Sequence, residues 1–334
     1  MKEKFLYVYQ WGFWGGIHSG VLAISKEFPE YDHYALQLNS NSNDTTTDNY
    51  LRKNGIVLKK LNGLLLKREV EALNPKIIFL FTIQSKHIER PIQWLENYYT
   101  VKFHNSSSKK DIESVEVINV NINWFVSEYV FSKQTLKHEN IIISPPVMFI
   151  KNYLNIERPK RQPVVGRIQA FSHIRKGKYP KTYLSILEKI SNSKFLIGDS
   201  RKNPPNPEKM RDYLKEVDIF ILWADNKETF SRVIAEANLS GIPVVLKNNN
   251  DGASEQIKKS GGGVLVDTEE EFIGAIELLT KNKKLRDELA NRGKYWCVEN
   301  CSTKLLRACL HDYLVGFQQK IVFSLNILKK REKN

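Results

Sequence analysis

Short, almost entirely apolar runs alternate with helical patterns along most of this sequence. The clearest run, from Val217 to Trp223, is nearly continuous and is typical of a strand that is buried on both faces. A helical pattern follows it, and the alternation of strands with helices favours right-handed crossovers between parallel strands. The sequence therefore predicts an α/β protein built on mostly parallel, doubly wound sheets.

A break in this pattern near the middle of the chain indicates two domains. The 334 residues are enough for about two buried cores. Ser144-Pro145-Pro146 and the charged segment 151–161 interrupt the alternation, which restarts at Val164. We expect a first domain over residues 1–148, a second over 149–312, and a closing amphipathic helix with a basic tail over 313–334. Two consecutive α/β domains place a cleft between them, which is a common ligand site.

Two polar tracts and the C-terminal pattern complete this outline. Residues 39–49 and 106–111 are polar and are predicted to be loops. Residues 305–328 form an amphipathic helical pattern that ends in lysines and an arginine. This helix either packs on the domains or adsorbs to an anionic membrane surface.

The composition indicates which cellular compartment and which kinds of partner to expect. Lys and Arg number 51 against 37 Asp and Glu, a net charge of +14, which favours anionic partners unless it only reflects a lysine-rich proteome. The apolar runs fall short of the ~20 residues of a spanning helix, and the N-terminus lacks a signal core. Three cysteines fit a reducing cytoplasm, and their helical spacing (Cys297, Cys301, Cys309) predicts helix core rather than a zinc site.

The segment 227–237, followed by Gly241-Ile242-Pro243, carries the strongest chemical signal. It begins where the strand ends and a helix starts, so that free helix amides are available to a phosphate. Glu228, in the loop, can face a sugar hydroxyl. Glu236, about two turns further along, can accept both hydroxyls of a ribose, as carboxylates do in dinucleotide sites. Alone this pair is weak evidence, because solvated helix faces carry such glutamates often.

Further blocks occur in a fixed order around this segment. They are Gly15-Gly16, His104-Asn105, Val126-Ser127-Glu128, Gly166-Arg167 with Lys176-Gly177, Leu196-Ile197-Gly198-Asp199, the Gly-x-x-Glu loop Asp251-Gly252-Ala253-Ser254-Glu255, and the segment 261–267. Together with 227–237 they resemble the retaining glycosyltransferases of family 4 (glycosyl transferases group 1), which have the GT-B fold. The resemblance implies two Rossmann-like domains that face each other across a cleft.

The resemblance also implies roles for individual residues. Arg167 and Lys176 would grip the donor diphosphate, together with amides of Phe230, Ser231 and Arg232 and the glycine loop at Gly15 and Gly16. Glu228 and His104 would position the sugar or the acceptor, and Glu236 would bind the ribose. This sequence departs from the family in a longer gap between Arg167 and Lys176, so that His173 or Arg175 would share the phosphate role. Thr229 and Ser231 stand where glycine is frequent, and Trp11 and Trp14 either stack on an acceptor ring or pack locally.

We therefore expect a retaining transfer from a nucleotide diphosphate sugar to an acceptor hydroxyl. UDP is the expected donor nucleotide and GDP the second choice, without a metal, since two cations are present and no Asp-x-Asp pair is found. The acceptor would be a saccharide or a lipid-linked precursor, handled in the cytoplasm or at the inner membrane face. The alternatives are a sugar-nucleotide epimerase and a non-catalytic nucleotide-binding or nucleic-acid-binding protein. We expect no nucleic-acid partner, because no recognition helix, zinc module or aromatic-basic RNA motif is found.

Overall fold

The computed structural model describes residues 2–10, 16–38, 45–81, 92–104, 120–133, 140–142, 153–154, 156, 163–169, 189, 194–199, 207–225, 227–302, 307–308 and 310. Within these residues the strands form two separate sheets, one in each half of the chain, and all pairings between neighbouring strands are parallel. The predicted fold class, an α/β chain with two doubly wound parallel sheets, is confirmed.

The first sheet has the strand order β3-β2-β1-β4-β5-β6-β7. Its strands are β1 (Lys4–Tyr9), β2 (Asp32–Leu38), β3 (Ile56–Leu61), β4 (Ile77–Phe81), β5 (Tyr99–His104), β6 (Ile122–Phe125) and β7 (Asn140–Ile142). Its helices are α1 (Gly16–Glu27), α2 (Thr45–Lys53), α3 (Leu66–Leu73) and the single turn α4 (Glu128–Phe131), with 3-10 turns at Gly63–Leu65 and Ile92–Asn97. The order runs outward from β1 to β3 on one side and from β4 to β7 on the other, so the direction of winding reverses between β1 and β4.

Apolar side chains cover both faces of this first sheet. On one face Tyr7 and Phe79 pack with Val21 of α1, and on the other Val8 and Leu80 pack with Leu66 at the start of α3. Burial on both faces explains why the central strands are apolar at every position instead of at alternate positions.

The second sheet has the strand order β12-β11-β10-β8-β9. Its strands are β8 (Val164–Gln169), β9 (Lys194–Asp199), β10 (Ile219–Leu222), β11 (Val244–Lys247) and β12 (Gly263–Val266). Its helices are α5 (Pro207–Lys215), α6 (Arg232–Leu239), α7 (Gly252–Ser260), α8 (Glu269–Lys281) and α9 (Lys283–Asn300). The apolar run at Val217 forms β10, whose Phe220 and Ile221 lie in different cores on opposite faces, as the sequence predicted.

Two loop predictions are wrong. The tract 39–49 is predicted to be a loop, but α2 begins inside it at Thr45. Among the side chains of this helix that the structure describes, Thr47 and Leu51 are buried, so the apolar periodicity is faint. The segment from Asp251 to Glu255 was also expected to be a loop, but it starts α7. Asp251 caps this helix by accepting a hydrogen bond from the backbone N–H of Ser254.

The C-terminal part of the described chain touches both units. Cys297 and Cys301 are fully buried in the core of the second unit, as the helical spacing predicted. Leu310, by contrast, is buried in the core of the first unit, and the Arg307 guanidinium bonds to Glu30 in that unit. The chain therefore returns to the first sheet before residue 312. The closing helix and basic tail predicted over 313–334 lie outside the described residues. Among the helices that the structure describes, none is long and apolar enough to cross a bilayer.

Candidate functional site

The points where the strand order reverses in the two sheets lie next to each other. In doubly wound sheets a crevice opens at such a point, beyond the carboxyl ends of the strands. In the first sheet the point lies between β1 and β4, and Gly16 begins the helix that follows β1. In the second sheet it lies between β8 and β10, and α6 follows β10. The Arg232 guanidinium donates to the carbonyl of Gly16 over 3.0 Å, and this hydrogen bond joins the two crevices.

The N-terminus of α6 lies at this junction, since Arg232 is its first residue. Ser231 is the extended N-cap residue, but its side chain makes no capping hydrogen bond, in contrast to Asp251 on α7 and Thr268 on α8. The Gln256 side chain of α7 hydrogen-bonds to the backbone of Ser231 instead, so this end of α6 is capped in part from the neighbouring helix. Phe230 packs against the cores of both units. The three residues predicted to offer amides to a phosphate, Phe230, Ser231 and Arg232, thus lie between the two sheets.

Glu228 lies on the loop between β10 and α6, and its backbone is fixed from two sides. Its N–H donates to a carboxylate oxygen of Asp251 over 2.7 Å, and its carbonyl accepts from the N–H of Gly252 over 2.8 Å. The same Asp251 caps α7, so one carboxylate ties the Glu228 loop to the neighbouring helix. Sequence reasoning assigned no role to Asp251. An aspartate directly before glycine and three residues before Ser254 is an N-cap signal that would have identified it.

Glu236 lies one turn after Arg232 on the same face of α6. Its Oε2 is buried and has no hydrogen-bond partner among the residues that the structure describes. Burial raises the pKa of this carboxyl to about 7, against the opposing effect of the Arg232 guanidinium. A buried carboxylate oxygen without a donor is an acceptor ready for a hydroxyl group, which fits the ribose role predicted for Glu236.

His104 is the last residue of β5 and lies at the carboxyl edge of the first sheet. It is 5% exposed, its ring stacks on Phe125 with centroids 4.5 Å apart, and its Nε2 lies 2.9 Å from Oδ1 of Asn123. Since Oδ1 can only accept, Nε2 donates and Nδ1 is left as an acceptor. Burial lowers the pKa of His104 to about 4, so the ring is neutral at neutral pH and cannot act there as a cation toward a phosphate.

The remaining candidates are placed in part or not at all. Arg167 lies in β8, next to β10 at the reversal point, and only its backbone is described. Lys176 and Gly15 lie outside the described residues, and so do Trp11, Trp14, His173 and Arg175. In the described part of the chain no group of three or more His, Cys, Asp or Glu side chains could hold a metal ion.

Comparisons with known proteins agree with this geometry. The family model described as "Glycosyl transferases group 1" matches residues 164–296, which run from β8 through most of α9. A sequence comparison with curated proteins gives no match.

Solved structures match over nearly the whole chain. A glycosyltransferase from Rickettsia africae is 16% identical with a TM-score of 0.71, and the match covers 96% of this chain and 100% of that one. HepE of Anabaena, solved in complex with UDP, is 15% identical with a TM-score of 0.70 and coverage of 95% and 100%. Sucrose-phosphate synthase of Thermosynechococcus elongatus is 13% identical with a TM-score of 0.70 and coverage of 94% and 100%. The fold is therefore the GT-B fold of glycosyltransferases, and the second unit carries the sequence pattern of glycosyl transferases group 1.

Proposed function

We propose that this protein is a glycosyltransferase that moves a sugar from a nucleotide diphosphate sugar to an acceptor hydroxyl. The observation that carries the proposal is the junction of the two crevices, where Arg232 meets Gly16 beside the amides of α6 and the unpartnered oxygen of Glu236. The match to group 1 over residues 164–296 supports the same reading.

The donor would be bound through its ribose and its diphosphate. Glu236 accepts hydrogen bonds from the ribose hydroxyls, and the α6 amides donate to the phosphates. Arg167 and Lys176 neutralise the charge that grows on the diphosphate as the glycosidic bond breaks. Preorganised donors of this kind lower a barrier by about 3 kcal/mol each. Glu228 contacts the transferred sugar from the loop beside them, and His104 helps to position the sugar or the acceptor.

We further propose a retaining, metal-independent, hexosyltransferase-type reaction. The bond between the sugar and the phosphate oxygen breaks with its electron pair going to the phosphate. The acceptor oxygen then bonds to the same face of the sugar, and its proton passes to the departing phosphate. UDP is the first choice of nucleotide, in keeping with the UDP complex of HepE, and GDP the second. The acceptor would be a saccharide or lipid-linked precursor of a cell-surface glycan, at the cytoplasmic face of the membrane.

Nucleotide binding is the first test. Thermal unfolding with UDP, GDP, ADP and dTDP identifies the base, since a ligand at 100 times its dissociation constant stabilises by about 2.7 kcal/mol. DNA binding at physiological salt without a shift by any nucleotide would contradict the proposal and favour a nucleic-acid binder.

Transfer itself is tested with a labelled donor and three variants, Arg167→Ala, Lys176→Ala and Glu236→Ala. Each should remain folded and lose transfer, because each removes a group that holds the donor. Glu277→Ala is the matched control, since Glu277 lies on α8 in an ion pair with Lys281 at 3.7 Å. Wild-type turnover in all three variants would refute the assignment. A labelled sugar that changes configuration without any acceptor would indicate an epimerase instead.

A further inference from the structure

A serine of the first unit holds the loop that carries Glu228 in the second unit. Ser127 lies between β6 and α4, and its hydroxyl donates to the carbonyl of Thr229 over 2.7 Å. The same hydroxyl accepts from the N–H of Val130 over 3.3 Å, so that it is also the N-cap of α4. Ser127 is 4% exposed. A buried hydroxyl therefore connects the two units at the residue directly after Glu228.

The atoms around this hydrogen bond are closely packed. A Cβ added to Gly252 would lie 1.8 Å from the carbonyl oxygen of Thr229 and 3.0 Å from Oγ of Ser127. Only a glycine lets the three groups approach this closely. The Glu228 loop is thus pressed between the start of α7, in its own unit, and Ser127, in the other.

A second set of contacts holds α4 against α7. The Glu255 carboxylate accepts from the N–H groups of Glu128 and Tyr129, over 3.1 and 2.8 Å. Lys259, one turn further along α7, contacts both Glu128 and Glu255 at 2.8 Å. We call Ser127, Glu128, Glu255 and Lys259 the clasp. Two of its bonds run from backbone amides to a carboxylate, and such charge-assisted hydrogen bonds are stronger than neutral ones.

We propose that Ser127 is a positioning residue for the Glu228 loop and that Glu255 and Lys259 keep it in place. Asp251 holds the loop at Glu228 from within the second unit, whereas the Ser127 hydroxyl reaches the Thr229 carbonyl only when α4 is docked on α7. Docking of the first unit therefore completes the geometry in which Glu228 meets the sugar. This inference rests on the proposed function and adds a device that restricts sugar transfer to the docked arrangement.

The test compares Ser127→Ala with Ser132→Ala. Ser132 is a matched control, since its hydroxyl donates to the carbonyl of Tyr129 over 3.0 Å within the same unit, near the end of the same short helix. For Ser127→Ala we expect kcat to fall about tenfold, the upper range for one hydrogen bond, while the KM for the donor changes less than about twofold. The KM is spared because the nucleotide is held by α6 and Glu236. Ser132→Ala should keep wild-type values of both.

Glu255→Gln provides a second variant that disturbs the clasp without touching Ser127. A carboxamide offers one acceptor oxygen to the two N–H groups and no charge to Lys259, so the fall in kcat should recur. Equal kcat values for wild type, Ser127→Ala and Glu255→Gln would overturn the proposal. A parallel loss of kcat and folded protein would overturn it as well, because Ser127 would then serve stability alone.

Hydrogen exchange tests this proposal independently of the proposed function. The backbone amides of residues 228–231 should exchange about tenfold faster in Ser127→Ala than in Ser132→Ala, because the loop loses its outer support. Unchanged exchange overturns the positioning role even if the enzyme is active. A wild-type protein that binds no nucleotide and transfers no sugar contradicts the proposed function, whereas exchange still reports whether Ser127 holds the loop.

Discussion

Replacing Glu236 by glutamine should remove a pH-dependent loss of stability and at the same time weaken the binding of the donor. Burial raises the pKa of this carboxyl from 4.5 to about 7. The folded protein therefore binds the proton more tightly than the unfolded chain does. As the pH rises from about 4.5 to 7, the unfolded chain ionises first, and the free energy of unfolding falls. Above pH 7 this loss is complete and stays constant.

The size of the effect follows from the two pKa values. At 1.36 kcal/mol per unit, the loss for wild type is about 1 kcal/mol at pH 5.5 and about 3 kcal/mol at pH 8. Glutamine does not ionise, so the free energy of unfolding of Glu236→Gln is not lowered in this way at either pH. The stability difference between the variant and wild type should hence be about 2 kcal/mol larger at pH 8 than at pH 5.5. Taking this difference between two pH values cancels the constant cost of burying the carboxamide.

Urea denaturation at the two pH values measures this difference. Titration with the donor then measures the effect of the substitution on donor affinity. A UDP-sugar is preferable to UDP, because its diphosphate has no proton to gain near pH 6. Wild-type affinity should fall about tenfold per pH unit below 7, as the carboxylate is protonated, and the affinity of Glu236→Gln should be weak and flat. A pH-independent stability difference would refute the reasoning about burial, and a variant that binds the donor normally would refute the ribose role.

Three further predictions concern other positions. Gly252→Ala should cost about 1–3 kcal/mol in urea denaturation, because its Cβ would meet the backbone of Thr229, whereas Gly274→Ala, with open space on α8, should stabilise by about 0.5–1 kcal/mol. Asn238→Ala should lower stability by about 2–4 kcal/mol, since the buried Nδ2 bonds the carbonyls of both Ile242 and Gly262; a loss below 0.5 kcal/mol would contradict this. His104 should remain neutral in an NMR titration down to about pH 4, and a midpoint near 6.5 would show that the ring is not buried as described.

The sheets could be predicted from sequence because their signals are local. A strand buried on both faces is apolar at every position, and the short run at Val217 is typical of such a strand. The helix after Glu228 can also be predicted from sequence, because the loop and the apolar face of α6 lie within about a dozen residues. By contrast, α2 buries few side chains, and α7 begins with Asp251-Gly252, a pair that is as typical of turns as of a helix start. The sequence consequently predicts loops for both segments.

The contacts that assemble the candidate site could not be read from the sequence. Ser127 and Thr229 are 102 positions apart, and Gly16 and Arg232 are 216 apart. Nothing in the local pattern of a serine or an arginine specifies a distant carbonyl as its partner. The resemblance placed Val126-Ser127-Glu128 at a strand end and the second half at a nucleotide site, but it did not show that one holds the other.

The loop from Glu228 to Arg232 is best understood as an element that both units build. The first unit contacts it at the carbonyl of Thr229, at the ring of Phe230 and, through Gly16, at the guanidinium of Arg232. A neutral hydrogen bond contributes about 1 kcal/mol and one to a charged group about 1.5–3 kcal/mol, so these contacts together favour docking by a few kcal/mol. Each single substitution in the clasp should accordingly slow transfer by a factor of about ten without abolishing it.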